Sequence, residues 1–113
     1  MKNKKLWNYL DLKSRLDHAV EICQKAGLIT LEYFYNATVE YSKKNDGTPV
    51  TIADKKAEQL IREEIKKSWK ADSILGEEYG KTKGKSLWRW VIDPIDGTES
   101  FIRKVPMYGT LIG

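Results

Sequence analysis

The sequence predicts helices layered on a sheet, of the α+β or mixed α/β class. Three observations predict it. Two stretches with helical apolar spacing come first, short apolar strand-like runs follow, and two of those runs end in carboxylates. The chain has 113 residues, enough for one domain with one modest core.

Residues 6–35 carry the first helix. Leu12, Leu16, Ala19, Cys23, Ala26, Thr30 and Phe34 recur at spacings of three and four and are expected on one buried face. Cys23, the only cysteine, is then a small core residue, and a single cysteine excludes an internal disulfide. Residues 37–42, with Thr38, Val39 and Tyr41, suit a short strand. Asp46-Gly47-Thr48-Pro49 is loop chemistry. A second helix begins near Thr51, with Ala53, Ala57, Leu60, Ile61, Ile65 and Trp69 on its apolar face. Thr51 and Asp54, three residues apart, form a capping box that uses Asp in place of the usual Glu or Gln.

Ile74-Leu75-Gly76 reads as a buried strand leading into Glu77-Glu78, and residues 80–86 read as a polar loop. Leu87 to Ile92 is nearly all apolar, so a strand covered on both faces is expected, ending at Asp93. A short helix is expected within 98–104, stopped before Pro106. The apolar run Val105 to Gly113 reads as a strand. Ending inside such a run predicts a chain cut short at its C-terminus, with a sheet edge that promotes association.

Composition narrows the function. The chain is 41% hydrophobic and 32% charged, too apolar for a disordered segment. No apolar run approaches the ~20 residues of a membrane helix, and the basic N-terminus lacks the apolar stretch of a secretory signal, so a cytoplasmic setting is expected. The net charge is +4 and the pI about 9.1, but the basic residues are scattered and no aromatic platform accompanies them. A solvated lysine-rich surface is therefore preferred to a nucleic-acid interface.

The chemistry centres on Asp93-Pro94-Ile95-Asp96-Gly97-Thr98. A strand empties into two carboxylates three residues apart. Pro94 stiffens the connection, Gly97 permits backbone closed to other residues, and Thr98 can open a helix whose free N–H groups bind phosphate. Hard carboxylate oxygens beside such a helix end describe a Mg²⁺ and phosphate site. The same run is also compatible with an exposed Pro/Asp-Gly turn. Glu77-Glu78 alone could be a solvated strand end, and Asp54 alone could serve only its helix dipole. Together they supply carboxylates from separate segments, as a metal site needs, with Asp54 as a base partner for the Thr98 hydroxyl. Gly80 to Ser86 imitates a phosphate-binding loop but has three residues between its glycines, not four, and precedes a strand. The acid spacing after Asp93 is wrong for an EF-hand. His18, the lone histidine, lies on the first helix, far in sequence from the acids, and is not expected to be catalytic.

The segments KKNDGTPVTIAD (Lys43 to Asp54), Gly76-Glu77-Glu78 and WVIDPIDGT (Trp90 to Thr98) resemble the inositol monophosphatase superfamily in order and spacing. Ser100-Phe101-Ile102-Arg103 and Val105-Pro106-Met107-Tyr108-Gly109 are most similar to its histidinol-phosphatase-like branch. The resemblance implies an α+β layered helix/sheet sandwich, with residues 1–113 as the N-terminal part of one phosphatase domain. It implies Mg²⁺-dependent hydrolysis of a small phosphate monoester by metal-activated water. The substrate implied is a small alcohol phosphate such as histidinol phosphate, with inositol monophosphate as the alternative. It implies metal binding by Glu77, Asp93, Asp96 and the backbone carbonyl of Ile95, and substrate contacts from Glu77, Ile95, Asp96, Gly97 and Thr98. Thr98 is implied to position the attacking water, with Asp54 as its acidic partner. A homodimer is also implied. Glu99 stands where the branch commonly has lysine, and the family's later Trp-Asp motif does not occur here. A piece without that motif could keep the fold yet act only as an association unit.

Overall fold

The computed structural model describes residues 4–36 and 40–113, and the side chains of residues 8–36 and 40–113. Helix α1 (Lys4–Phe34) is followed by strands β1 (Tyr41–Lys43) and β2 (Pro49–Thr51), then helix α2 (Ile52–Ser68). Strands β3 (Ser73–Gly76), β4 (Gly80–Thr82) and β5 (Arg89–Asp96), the short helix α3 (Thr98–Ile102) and strand β6 (Gly109–Ile112) complete the chain. β1 and β2 form a hairpin. The other four strands form one sheet in the order β4-β3-β5-β6, with β3 and β5 parallel and the remaining pairs antiparallel. The class is α+β, as expected. The expected strand residues Thr38 and Val39 lie outside the described residues.

Helix α2 forms where its capping box and apolar spacing put it. The Thr51 hydroxyl accepts the Asp54 N–H, and the Asp54 carboxylate accepts the Thr51 N–H, so two orphan donors of the first turn are satisfied reciprocally. Its Ala57, Ile61 and Ile65 pack with Ile22 and Ala26 of α1, Ile74 of β3, and Trp90 and Ile92 of β5. Burying each large apolar side chain in this layer contributes roughly 1.5–3 kcal/mol. A smaller cluster of Ala53, Ile95 and Phe101, flanked by Tyr33, Phe34 and Tyr108, seats α3 against α2. Lys104 donates to the carbonyls of Tyr33 and Phe34, placing a cation on the C-terminal end of α1.

Four expectations need correction. The buried stripe of α1 is rotated, because Ile22 is buried while Leu12 and Leu16 are exposed. Leucines, isoleucines and one valine occur on several sides of this helix, so spacing alone does not choose the stripe. The loop at 80–86 begins with strand β4, a polar, lysine-bearing edge whose pairing is made by backbone alone. Strand β5 is covered on one face only. Trp90 and Ile92 face the helices, whereas Arg89 and Val91 are exposed. Finally, β5 does not end at Asp93 but runs through Pro94 to Asp96. Proline is tolerated there because the pairing with β3 stops at Ile92 and the β6 pairing is bulged.

A charged cluster ties α1 to the sheet. Asp72 is buried and accepts from Arg15 Nε at 2.7 Å, Arg15 Nη2 at 3.1 Å, Ser86 Oγ at 2.7 Å and Trp90 Nε1 at 3.0 Å. The Arg15 guanidinium also lies 4.4 Å from the ring centroids of both Trp69 and Trp88. His18 Nδ1 accepts from Trp69 Nε1 at 3.0 Å, a structural role within this cluster. Among the described residues no helix is long and apolar enough to cross a membrane.

Burial opposes ionisation of Asp72, but hydrogen bonds from Arg15, Ser86 and Trp90 outweigh it and hold the carboxyl below its ordinary range. A depressed folded value adds stability above the unfolded carboxyl pKa of ~3.9, and this is lost as pH falls through the folded value. Asp72→Asn should therefore cost about 3 kcal/mol near neutral pH, because Arg15 loses its buried partner. Urea unfolding should show that gap and show it closing in acid; an equal gap at both pH values contradicts the assignment.

Candidate active site

The site is built where the parallel pairing of β3 with β5 ends and β5 runs on alone beside β6. Gly76 of β3 pairs with Ile92 of β5, so Glu77, the first residue past β3, comes beside Asp93, through which β5 continues. The Glu77 N–H donates to the Ile92 carbonyl at 3.2 Å, which fixes that register one step further. Ligand sites of open sheets with parallel strands gather at such carboxyl ends.

A bulge then brings in Asp96. Asp93 pairs with Leu111 and Asp96 with Gly109. From 93 to 96 is three steps on β5, while from 111 to 109 is two on β6, so β5 carries one extra residue. In regular alternation, residues three apart face opposite sides. The extra residue returns Asp96 to the side of Asp93, and buries Pro94 and Ile95 between them. Thr110 Oγ1 pins the bulge by donating to the Pro94 carbonyl at 2.8 Å.

Gly97 follows with φ +90°, a conformation that favours glycine, and a Cβ there would stand 3.0 Å from the Met107 carbonyl. This turn delivers Thr98 onto α2. Thr98 Oγ1 lies 3.0 Å from Asp54 Oδ1 and 3.1 Å from the Ile95 carbonyl oxygen, and its single proton is donated to these acceptors. The other Asp54 oxygen accepts from the Thr51 N–H at 2.8 Å and from Thr51 Oγ1 at 2.5 Å. Asp54 is only 1% exposed, so its orientation is dictated by these partners. With its proton directed at Asp54 or Ile95, the Thr98 oxygen keeps lone pairs to accept from a water.

The acids feel one another. Burial first, then the charges of Glu77 and Asp96, push the Asp93 carboxyl up to about 6. Lys44, from the turn between β1 and β2, reaches this edge. Its Nζ lies 2.8 Å from Glu78 and 4.0 Å from Glu77. Burial works against the Lys44 ammonium, but Glu78 and Glu77 outweigh it and keep it charged. Sequence reading did not single out Lys44. Its signal was its place in the KKNDGTP turn, whose Asp46 accepts from Thr48 and folds the hairpin back toward the acids.

The donors suit a hard divalent cation in kind: three carboxylates and the Ile95 carbonyl, with a repulsion on Asp93 that a cation would relieve. They are not gathered into a ready cage. Among the described residues no three Asp, Glu, His or Cys side chains stand close enough to hold a metal ion. Glu77, 57% exposed at its side chain, and Asp96, also exposed, stand open to solvent at this edge. Glu99 points to solvent and pairs with Arg103.

Residues 11–113 match the inositol monophosphatase family. A histidinol-phosphatase from Chlorobaculum parvum is 46% identical over 97 residues, covering 86% of this chain and 38% of that protein. The Nus factor SuhB of Escherichia coli is 40% identical over 99 residues, covering 86% of this chain and 37% of that protein. The solved structure of extragenic suppressor protein suhB from Bartonella henselae superposes with a TM-score of 0.82 at 28% identity, over 88% of this chain and 39% of that one. The chain spans 36–38% of the length of its histidinol-phosphatase relatives. The matched span contains the Asp54 cap, the Glu77 turn and the bulged end of β5, and the chain belongs to the inositol monophosphatase family.

Proposed function

We propose that this chain supplies part of the active site of a Mg²⁺-dependent phosphomonoesterase acting on a small alcohol phosphate such as histidinol phosphate. The observation that carries the reading is the part-buried Asp54–Thr98 hydrogen bond, set beside Glu77 at the end of β3 and Asp93 and Asp96 on the bulged last part of β5. Family membership supports the reaction class, and relatives named histidinol-phosphatase favour that substrate over inositol monophosphate.

Glu77, Asp93, Asp96 and the Ile95 carbonyl would hold the cation. When bound, Mg²⁺ supplies Lewis-acid stabilisation of the phosphoryl oxygens. The chain's own residues do the rest. Asp54 fixes the Thr98 hydroxyl, and the Thr98 oxygen accepts a hydrogen bond from a water and aims it at phosphorus. The N–H groups of Gly97 and Thr98, where α3 begins, face the substrate phosphate. Glu77, Ile95 and Asp96 border the bound ester.

Two outcomes follow in a phosphate-release assay over a panel of phosphate monoesters, run on this chain and on any longer product. Asp96→Asn should abolish Mg²⁺-dependent hydrolysis, and turnover close to wild type would sink its assignment. Thr98→Val should lower turnover by about 10²-fold while Thr98→Ser keeps most of it; equal rates for the two variants would remove the hydroxyl from the mechanism.

A further inference from the structure

We propose that Glu58, braced by Arg62, is a positioning residue that presents the Glu77 carboxylate to the cation, an inference that rests on the divalent-cation reading of the site. Glu77-Glu78-Tyr79 is the three-residue turn between the paired Gly76 and Gly80 of β3 and β4. The Glu78 and Tyr79 N–H groups have no ladder partner within such a turn. Each donates instead to one oxygen of Glu58, at 2.9 and 2.8 Å. Glu58 is 0% exposed, so these bonds are not replaced by water.

The clamp has three further parts. Arg62 Nε donates to Glu58 at 2.9 Å, while the same guanidinium donates to Thr82 Oγ1 at 2.9 Å and to the Gly80 carbonyl. One planar fork thus ties the carboxylate to β4, the far side of the turn. Gly76 completes the fit, since a Cβ there would stand 2.5 Å from Glu58 Oε2. Finally, Asp54, Glu58 and Arg62 lie four residues apart in turn, on one ridge of α2. The ridge that holds Thr98 through Asp54 therefore also holds the Glu77 turn through Glu58, and the relative placement of the two is set by a single helix. A buried ion pair is weak evidence for stability alone, which leaves orientation as the role the geometry favours.

The test uses Mn²⁺ as the probe, titrated by electron paramagnetic resonance, together with amide hydrogen exchange. In Glu58→Gln, exchange at Glu78 and Tyr79 should rise at least tenfold and Mn²⁺ affinity should fall about tenfold, the scale of losing a group that orients a ligand. Glu58→Asp keeps the charge but is one methylene shorter, and should lose affinity similarly. It also carries the test should Glu58→Gln fail to fold. Wild-type affinity in either folded variant, or unchanged exchange at both amides, overturns the proposal while leaving the cation reading intact. A purely structural role would lower the melting temperature and leave Mn²⁺ affinity unmoved. Failure of the wild-type chain to bind Mn²⁺ overturns the cation reading and this inference with it.

Discussion

The hydrogen bond between Asp54 and Thr98 joins two segments that are otherwise 44 residues apart. One carboxylate performs two tasks. One of its oxygens closes the capping box that starts α2, and the other receives the hydroxyl that opens α3. Losing the Asp54 charge would fray the helix and release the hydroxyl together, because both sets of donors would be left buried. The start of α2 and the start of α3 are thus coupled at this one residue.

The strand ends at the site follow from ordinary sheet geometry. Parallel pairing of β3 with β5 makes Glu77 and Asp93 neighbours although they stand far apart in the sequence. The bulge before Asp96 turns a three-residue spacing into a shared face. Burial first, and then repulsion among these charges, raises the Asp93 carboxyl, and Lys44 offsets part of that repulsion. The ridge Asp54–Glu58–Arg62 on α2 gives the site a rigid backing, with one helix touching both the turn after β3 and the turn after β5.

Much of this was legible in the sequence. Alanines and isoleucines at helical spacing announced α2, and Thr51 with Asp54 announced its start. The apolar run before Glu77 marked where one carboxylate would leave the sheet, and the run before Asp93 marked its strand but not that strand's end. Three quoted segments carried the family resemblance. Other parts were hidden for physical reasons. Glu58 and Arg62, four apart on a helix, have the pattern of a solvated surface pair, and only the fold shows them buried. Pro94 argued for a turn because a proline in a strand is permitted only where pairing lapses, and that lapse is a property of β6 and β3 rather than of β5. Lys44 gave no sign of reaching Glu78, since nothing local states which way a hairpin folds. The rotated stripe of α1 went unread because apolar residues on several faces of a helix leave the choice to its partners.

The most direct measurement is a double-mutant cycle between Asp54→Asn and Thr98→Val, read as Mg²⁺-dependent phosphate release from histidinol phosphate. Groups that act as one unit are strongly non-additive. The expected result is that the double variant is no slower than the slower single variant. Losses that multiply would show two independent contributions, and would contradict the role of Asp54 as the partner through which Thr98 acts.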